Sequence, residues 1–222
     1  MKNPTSRWVT LGGAWRFFEV FSVIYFLPSF YQQAFPDMKM QFGVINGLVQ
    51  CLGGITSVMV SGIIGDRFEK RNKMTKAYIG IFGSLIGAIA MAGCCLFEGV
   101  GFYTSLAFLA VKFVASEGFM APTITMMQRT VSPENQGTIV SAYLFFLTMA
   151  GCISTVLVGQ LANVLGAASN PWIYGKIIYG ISLIGYTFSI PCFWLAGKSY
   201  IAHLQLEGRK RAFEREALRG NA

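Results

Sequence analysis

Apolar residues fall into six long runs, each ended by a short polar or proline-bearing stretch. The runs lie near residues 8–35, 41–65, 74–96, 102–122, 137–165 and 174–196. Each is long enough for an α-helix to cross the ~30 Å hydrocarbon core of a bilayer, which takes about 20 residues. The breaks carry physical punctuation. Pro36-Asp37 ends the first run, Glu98-Gly99 lies in the third break and Asn170-Pro171 precedes the sixth run. Ser132-Pro133-Glu134 reads as a helix start: serine caps, proline fits the first helical position and glutamate favours the positive helix end. Pro28, Pro122 and Pro191 predict kinks or opened backbone at or inside span ends. Gly43-x-x-x-Gly47 and Gly83-x-x-x-Gly87 predict close helix packing. The predicted molecule is an all-α membrane protein: a polar stub over 1–7, six transmembrane helices over 8–197, and a basic helical tail over 198–222. Ile201, Leu204, Phe213 and Ala217 give that tail a weak apolar face. It reads as a solvated extension of the last span or as a helix lying on anionic lipid.

Composition agrees. Of 222 residues, 54% are apolar and 13% charged, against about 25% charged in soluble domains. Disorder needs the opposite balance. The first run is too long for a signal-peptide core and reads as a true span.

Charge adds orientation. Net charge is +8, but its placement matters more than its sum. The connection after the second run holds Arg67, Lys70, Arg71, Lys73 and Lys76. The tail holds six cations between Lys198 and Arg219, and the stub holds Lys2 and Arg7. The connections on the other side offer only Lys39 and Lys176. Arg129 stands alone in the 4–5 connection and adds little. By the positive-inside rule both termini face the cytoplasm or an equivalent organellar compartment. No aromatic residues interleave the cations as in a nucleic-acid groove. The five cysteines, Cys51, Cys94, Cys95, Cys152 and Cys192, lie inside apolar runs and read as small core residues. With one histidine, His203, and no Cys/His pattern, neither a metal nor another cofactor is expected. No nucleophile or phosphate-binding motif is present, so an enzyme is not expected.

Charge inside a span is costly and is usually paired or turned to a cavity. The first run carries Arg16 and Glu19, three apart and so on one helix face. The fourth carries Lys112 and Glu117, five apart, a spacing that suggests different partners. One reading is a polar cavity in which Arg16 or Lys112 meets an anionic or zwitterionic solute and Glu19 or Glu117 takes a proton. The other is a buried ion pair that locks helices. Asn46 and Gln50 in the second run are further candidates for a polar face.

The most informative motif is Gly62-Ile63-Ile64-Gly65-Asp66-Arg67-Phe68-Glu69-Lys70-Arg71, at the junction of the second and third runs. It resembles the loop signature G-x-x-x-D-R-x-G-R-R of the major facilitator superfamily. Gly62, Asp66, Arg67, Lys70 and Arg71 match in identity or charge, whereas Glu69 stands where the family has glycine. Pro133-Glu134-Asn135-Gln136-Gly137 is similar to the family's P-x-x-x-G helix start. Residues Gly12–Phe18 and Ser141–Phe146 look most like the second half of protist members, some of them Spinster-like. The resemblance implies one six-helix half of a twelve-helix fold, itself a 3+3 inverted repeat. It also implies that the Gly62–Arg71 loop is a conformational switch. Physically, Asp66 is placed to accept from Arg67 or Arg71, or to meet the N-terminus of a neighbouring helix.

In that family the solute path lies between two halves. Three readings therefore stand. The chain is a half-length transporter module for a small organic solute, completed by a second half or a copy of itself. Alternatively it is a transport-inactive accessory subunit of a larger membrane complex, or a channel-like homo-oligomer. Its partners are the lipid bilayer, other membrane subunits and, if it is active, a solute.

Overall fold

The structure, a computed structural model, describes residues 3–97, 99, 101–167 and 170–220, with backbone only for 211–212, 214–215 and 217–220. Lys2 and Glu98 lie outside the described residues, as do the side chains of Arg211, Arg215, Ala217 and Arg219. The described elements are helical: α1 (Pro4–Ala34), α2 (Lys39–Glu69), α3 (Thr75–Cys95), α4 (Phe102–Ser116), α5 (Met120–Gln128), α6 (Gln136–Val164) and α7 (Pro171–Gly220). Single 3₁₀ turns precede α2 and α6, and a third joins α4 to α5.

The ends follow local chemistry. Asn3 caps α1 by accepting from the Thr5 amide at 2.9 Å, with Pro4 at the first helical position. Asn170 does the same for α7 through the Trp172 amide at 3.0 Å. Ser132 departs from expectation. Its side chain makes no cap bond and instead accepts from Asn135 Nδ2 at 3.1 Å, because Pro133 opens a 3₁₀ turn before α6 begins. The fourth run is interrupted at Glu117–Phe119, where the α-helical ladder gives way to a 3₁₀ turn. Pro122, four residues after Gly118, has no N–H to offer that carbonyl and its ring crowds it, so the ladder cannot close there. The sixth run is longer than expected: α7 continues through the basic tail as one 50-residue helix.

Among the described residues five segments are long and apolar enough to cross a membrane: the helices of α2, α3, α4–α5, α6 and α7. The first helix, at 31 residues, has the length but not the apolar content, since it spends positions on Arg7, Arg16, Glu19 and several hydroxyl residues.

α1 is the central element. It packs along α7 and α6, while α3 packs on α7 and α4, and α2 lies on α4. Two apolar clusters sit at its two ends. One gathers Val23, Leu27, Phe30, Met91, Leu109 and Ile178; the other gathers Val9, Met126, Met127, Tyr143, Leu147 and Tyr200. The stretch of α1 between them carries the charges. Small residues allow the close contacts: a Cβ on Gly185 would lie 2.6 Å from the Trp15 carbonyl oxygen, and one on Gly87 2.6 Å from Ser116 Oγ. Gly83 is similarly close, to the Ala115 carbonyl at 3.0 Å. Gly43 and Gly47 correct the sequence reading, since both face open space because α2 turns that side away from the other helices. Cys51 and Cys152 are exposed on the outer faces of α2 and α6, whereas Cys94, Cys95 and Cys192 are buried.

Candidate functional site

The four candidate charges of the first and fourth runs meet. Arg16 Nη1 donates to Glu19 Oε2 at 3.0 Å. Lys112 Nζ lies 3.1 Å from Glu19 Oε1 and 2.5 Å from Glu117 Oε1. Arg16, Glu19 and Lys112 are fully buried, and Glu117 is 15% exposed. The expectation that Lys112 and Glu117 take different partners is therefore corrected. Glu117 stands where α4 ends and the 3₁₀ turn begins, and the long Lys112 side chain reaches its carboxylate there.

Three further groups complete the cluster. Tyr186 of α7 donates its hydroxyl to Glu19 Oε1 at 2.8 Å. Arg16 Nη2 donates to the carbonyl and hydroxyl oxygens of Ser116, at 2.8 and 2.5 Å. The Arg16 guanidinium also sits 4.6 Å from the Tyr186 ring centre and 4.9 Å from that of Phe119. Two cations and two carboxylates give zero formal charge, and ring faces and oxygens surround the buried guanidinium, whose Nε alone makes no hydrogen bond. The cluster joins α1, α4, the elbow before α5, and α7.

Asn46 and Gln50 do not join it. Gln50 Nε2 donates to Asn46 Oδ1 at 3.1 Å along α2, and neither residue hydrogen-bonds to the four charges among the described contacts.

A second cluster lies at the end of the bundle that carries the α2–α3 loop. Its hub is Glu69, the residue that breaks the loop signature. Glu69 is buried at 9% side-chain exposure and holds Lys76 at 2.9 Å and Arg129 at 2.8 Å. Tyr200 of α7 donates to its Oε1 at 2.6 Å, and Arg129 Nη1 also donates to Tyr200 at 3.1 Å. Burial works against the Arg129 charge, but Tyr200 and Glu69 outweigh it and hold the guanidinium above its ordinary value. Asp66, mostly exposed, pairs with Lys76 at 3.1 Å. This corrects the expectation that Asp66 takes Arg67, Arg71 or a helix end: α2 runs on to Glu69, and the loop returns Lys76 to Asp66 instead. No residue in this loop has positive φ, so glycine is not required at position 69 and the turn tolerates glutamate. Gly62 packs against Ala121 with ordinary spacing, and Arg67, Lys70 and Arg71 are exposed. The N-terminus and the far end of α7 reach the same end of the bundle. Ser6 and Thr130 share a hydrogen bond at 2.8 Å, and Asn3 meets His203 at 3.3 Å.

Sequence reasoning missed Ser116, Tyr186, Lys76, Arg129 and Tyr200 as site partners. The usable signals were small: a tyrosine next to Gly185 in a span, and an acidic residue where a glycine was expected.

Comparison with known proteins places this architecture. The Major Facilitator Superfamily matches residues 1–155, and the chain belongs to that superfamily. An MFS-type efflux pump of Mycolicibacterium smegmatis (strain ATCC 700084 / mc(2)155) is 24% identical over 213 residues, covering 94% of this chain and 48% of the pump. A bacterial homologue of the human lysosomal transporter Spinster, inward-facing and unoccupied, superposes with a TM-score of 0.66 at 17% identity. That match covers 90% of this chain and 49% of the homologue. The occupied inward-facing form gives 0.55 at 16% identity, covering 92% and 50%. The chain thus spans about half the length of these relatives.

Proposed function

We propose that the chain is a half-length secondary-transport module for a small organic solute, with six spans in a 3+3 inverted repeat, and that it works against a second six-helix half. The observation that carries this reading is the match to about half of each longer relative. On the outward face of α2, Val44, Leu48, Leu52, Ile55, Met59 and Ile63 form an exposed apolar stripe. α6 offers a comparable stripe through Phe145, Met149, Ile153 and Val156. In a membrane such faces meet either hydrocarbon or another helix bundle, and the match to about half of each longer relative is what favours a partner half. In this reading the positive loops and both termini face the cytoplasm or its organellar equivalent. Glu117, at the accessible edge of the charge cluster, is the group that a solute or a proton meets first, with Lys112, Glu19 and Arg16 behind it. The Gly62–Arg71 loop is the switch that holds one end closed.

One observation favours the second reading, an accessory subunit without transport: each of the four charges is paired with an opposite charge of the same cluster, although Arg16 Nε makes no hydrogen bond. The test is native mass measurement after mild-detergent purification from the source membrane, followed by uptake in vesicles. The module reading expects a complex with a second half or a second copy, and uptake lost in Arg16→Ala and Glu19→Gln. A partner complex that carries no solute supports the accessory role. A 24.4 kDa monomer with neither partner nor transport overturns both.

A further inference from the structure

We propose that the groove between α2 and α3 binds one anionic phospholipid, its acyl chain along the helices and its phosphate at Arg71. This goes beyond the transport reading and does not depend on it.

The groove arises from packing. α2 rests mainly on α4 rather than on α3, so the two helices splay and leave a floor made by Val114, Ala115 and Gly118 of the α4–α5 segment. Val60 and Ile64 form one wall, and Ile79 and Phe82 the other. The volume is about 460 Å³, within the range of ~300–1,000 Å³ typical of ligand pockets. Val60, Phe82 and Ile86 are 53%, 58% and 42% exposed, so the groove opens sideways, where helices of this length meet hydrocarbon. It lies on a different side of α2 from the Val44–Ile63 stripe.

The groove does not end blindly. At the α2–α3 loop it shares Ile64 and Thr75 with a second hollow of about 640 Å³, which is also lined by Phe68, Arg71 and Asn72. The path therefore passes from apolar walls to a polar mouth. Charge there is one-sided. The carboxylates of Asp66 and Glu69 are already taken by Lys76 and Arg129. Arg67, Lys70, Arg71 and Lys73 are exposed and make no ion pair among the described contacts. An apolar trough ending in unpaired cations complements an acyl chain ending in a phosphate diester. Arg71 is the cation on the wall of the hollow, and a guanidinium can hold a phosphate through two N–H groups.

The experiment is native mass measurement of the full chain, titrated in mild detergent with phosphatidylglycerol or with phosphatidylcholine of the same acyl chains. The expected result is a single phosphatidylglycerol retained about fivefold more tightly than phosphatidylcholine, the preference that one well-placed cation supplies. Arg71→Ala should reduce phosphatidylglycerol to the phosphatidylcholine level. Val60→Trp, which fills the groove from an exposed position, should weaken both lipids. Lys210→Ala, an equal charge loss elsewhere, should change neither. Equal retention of the two lipids, or an unchanged preference in Arg71→Ala, overturns the headgroup assignment. Unchanged binding in Val60→Trp, or a loss in Lys210→Ala matching that in Arg71→Ala, reduces the effect to surface charge and overturns the site. Displacement by millimolar glycerol phosphate would make it a free-phosphate site and overturn it equally.

Discussion

The two charge clusters use the same chemistry in different settings. The inner one, Arg16, Glu19, Lys112 and Glu117, lies between the two apolar cores with three members fully buried. The outer one, Asp66, Glu69, Lys76 and Arg129, closes the loop end of the bundle, with Asp66 68% and Arg129 47% exposed. Both recruit a tyrosine from α7, Tyr186 within and Tyr200 at the end. In the inner cluster Arg16, Glu19 and Lys112 are fully buried and depend on their partners. In the outer cluster solvent reaches Asp66 and Arg129, whereas Lys76 and Glu69 are buried. The difference in burial predicts that the inner cluster costs more to break than the outer one.

The sharpest test of that contrast removes the central carboxylate of the inner cluster. Glu19→Leu leaves Arg16 and Lys112 buried with Glu117 alone, and Tyr186 loses its acceptor. Breaking a buried pair by deleting one partner costs about 3–5 kcal/mol. Thermal unfolding in detergent should show that loss, and Glu19→Gln a smaller one, because its amide oxygen still accepts from Tyr186. A Glu19→Leu protein as stable as the parent would erase the distinction between the clusters.

Removing the outer hub should cost less. Glu69→Gly restores the glycine of the family signature but strips Lys76, Arg129 and Tyr200 of their common acceptor. Charged hydrogen bonds of this kind are each worth about 1.5–3 kcal/mol, but Lys76 keeps Asp66 and Arg129 can turn to solvent, so the total should stay below that of Glu19→Leu. The same unfolding measurement checks it. Gly185→Ala tests the close approach that brings Tyr186 to Glu19. Its Cβ would fall 2.6 Å from the Trp15 carbonyl oxygen, an atom of the backbone that cannot swing aside. Overpacking of this sort costs about 1–3 kcal/mol. It should destabilise the inner cluster while leaving the Glu69 contacts intact, as read by an unchanged effect of Glu69→Gly in the double variant.

Much of this was legible in the sequence, for stated physical reasons. Apolar run length gives the helices, because hydrocarbon thickness fixes how many residues a span needs. Among the described spans α1 has the length but falls short in apolar content, with Arg16 and Glu19 among its polar positions. The i, i+3 spacing of Arg16 and Glu19 gives their pairing directly. The meeting of Lys112 with Glu117 was not legible, since a spacing of five does not stack side chains on a regular helix and the end of α4 at Ser116 carries no clear signal in the sequence. Glu69 was visible only as a departure from a signature. Its partners lie 7, 60 and 131 positions away, at Lys76, Arg129 and Tyr200, and only the fold brings them together. Periodicity likewise misjudged Gly43 and Gly47, because small-residue spacing marks a face without saying what lies against it.

Asp66→Asn is the mildest variant and separates the clusters most cleanly by mechanism. Asp66 matches the acid of the loop signature, yet it is mostly solvated and shares Lys76 with Glu69. An exposed ion pair is worth about 0–1 kcal/mol, so unfolding should shift by no more than that. Its salt response is the informative part. The screening length falls from about 8 Å at 0.15 M to about 3 Å at 1 M, so the difference between parent and Asp66→Asn should vanish at high salt. The gap caused by Glu19→Leu should persist there, because ions do not reach a charge sealed between helices. If both gaps closed together, the inner cluster would be as wet as the outer one, and its four charges would be free to meet a solute after all.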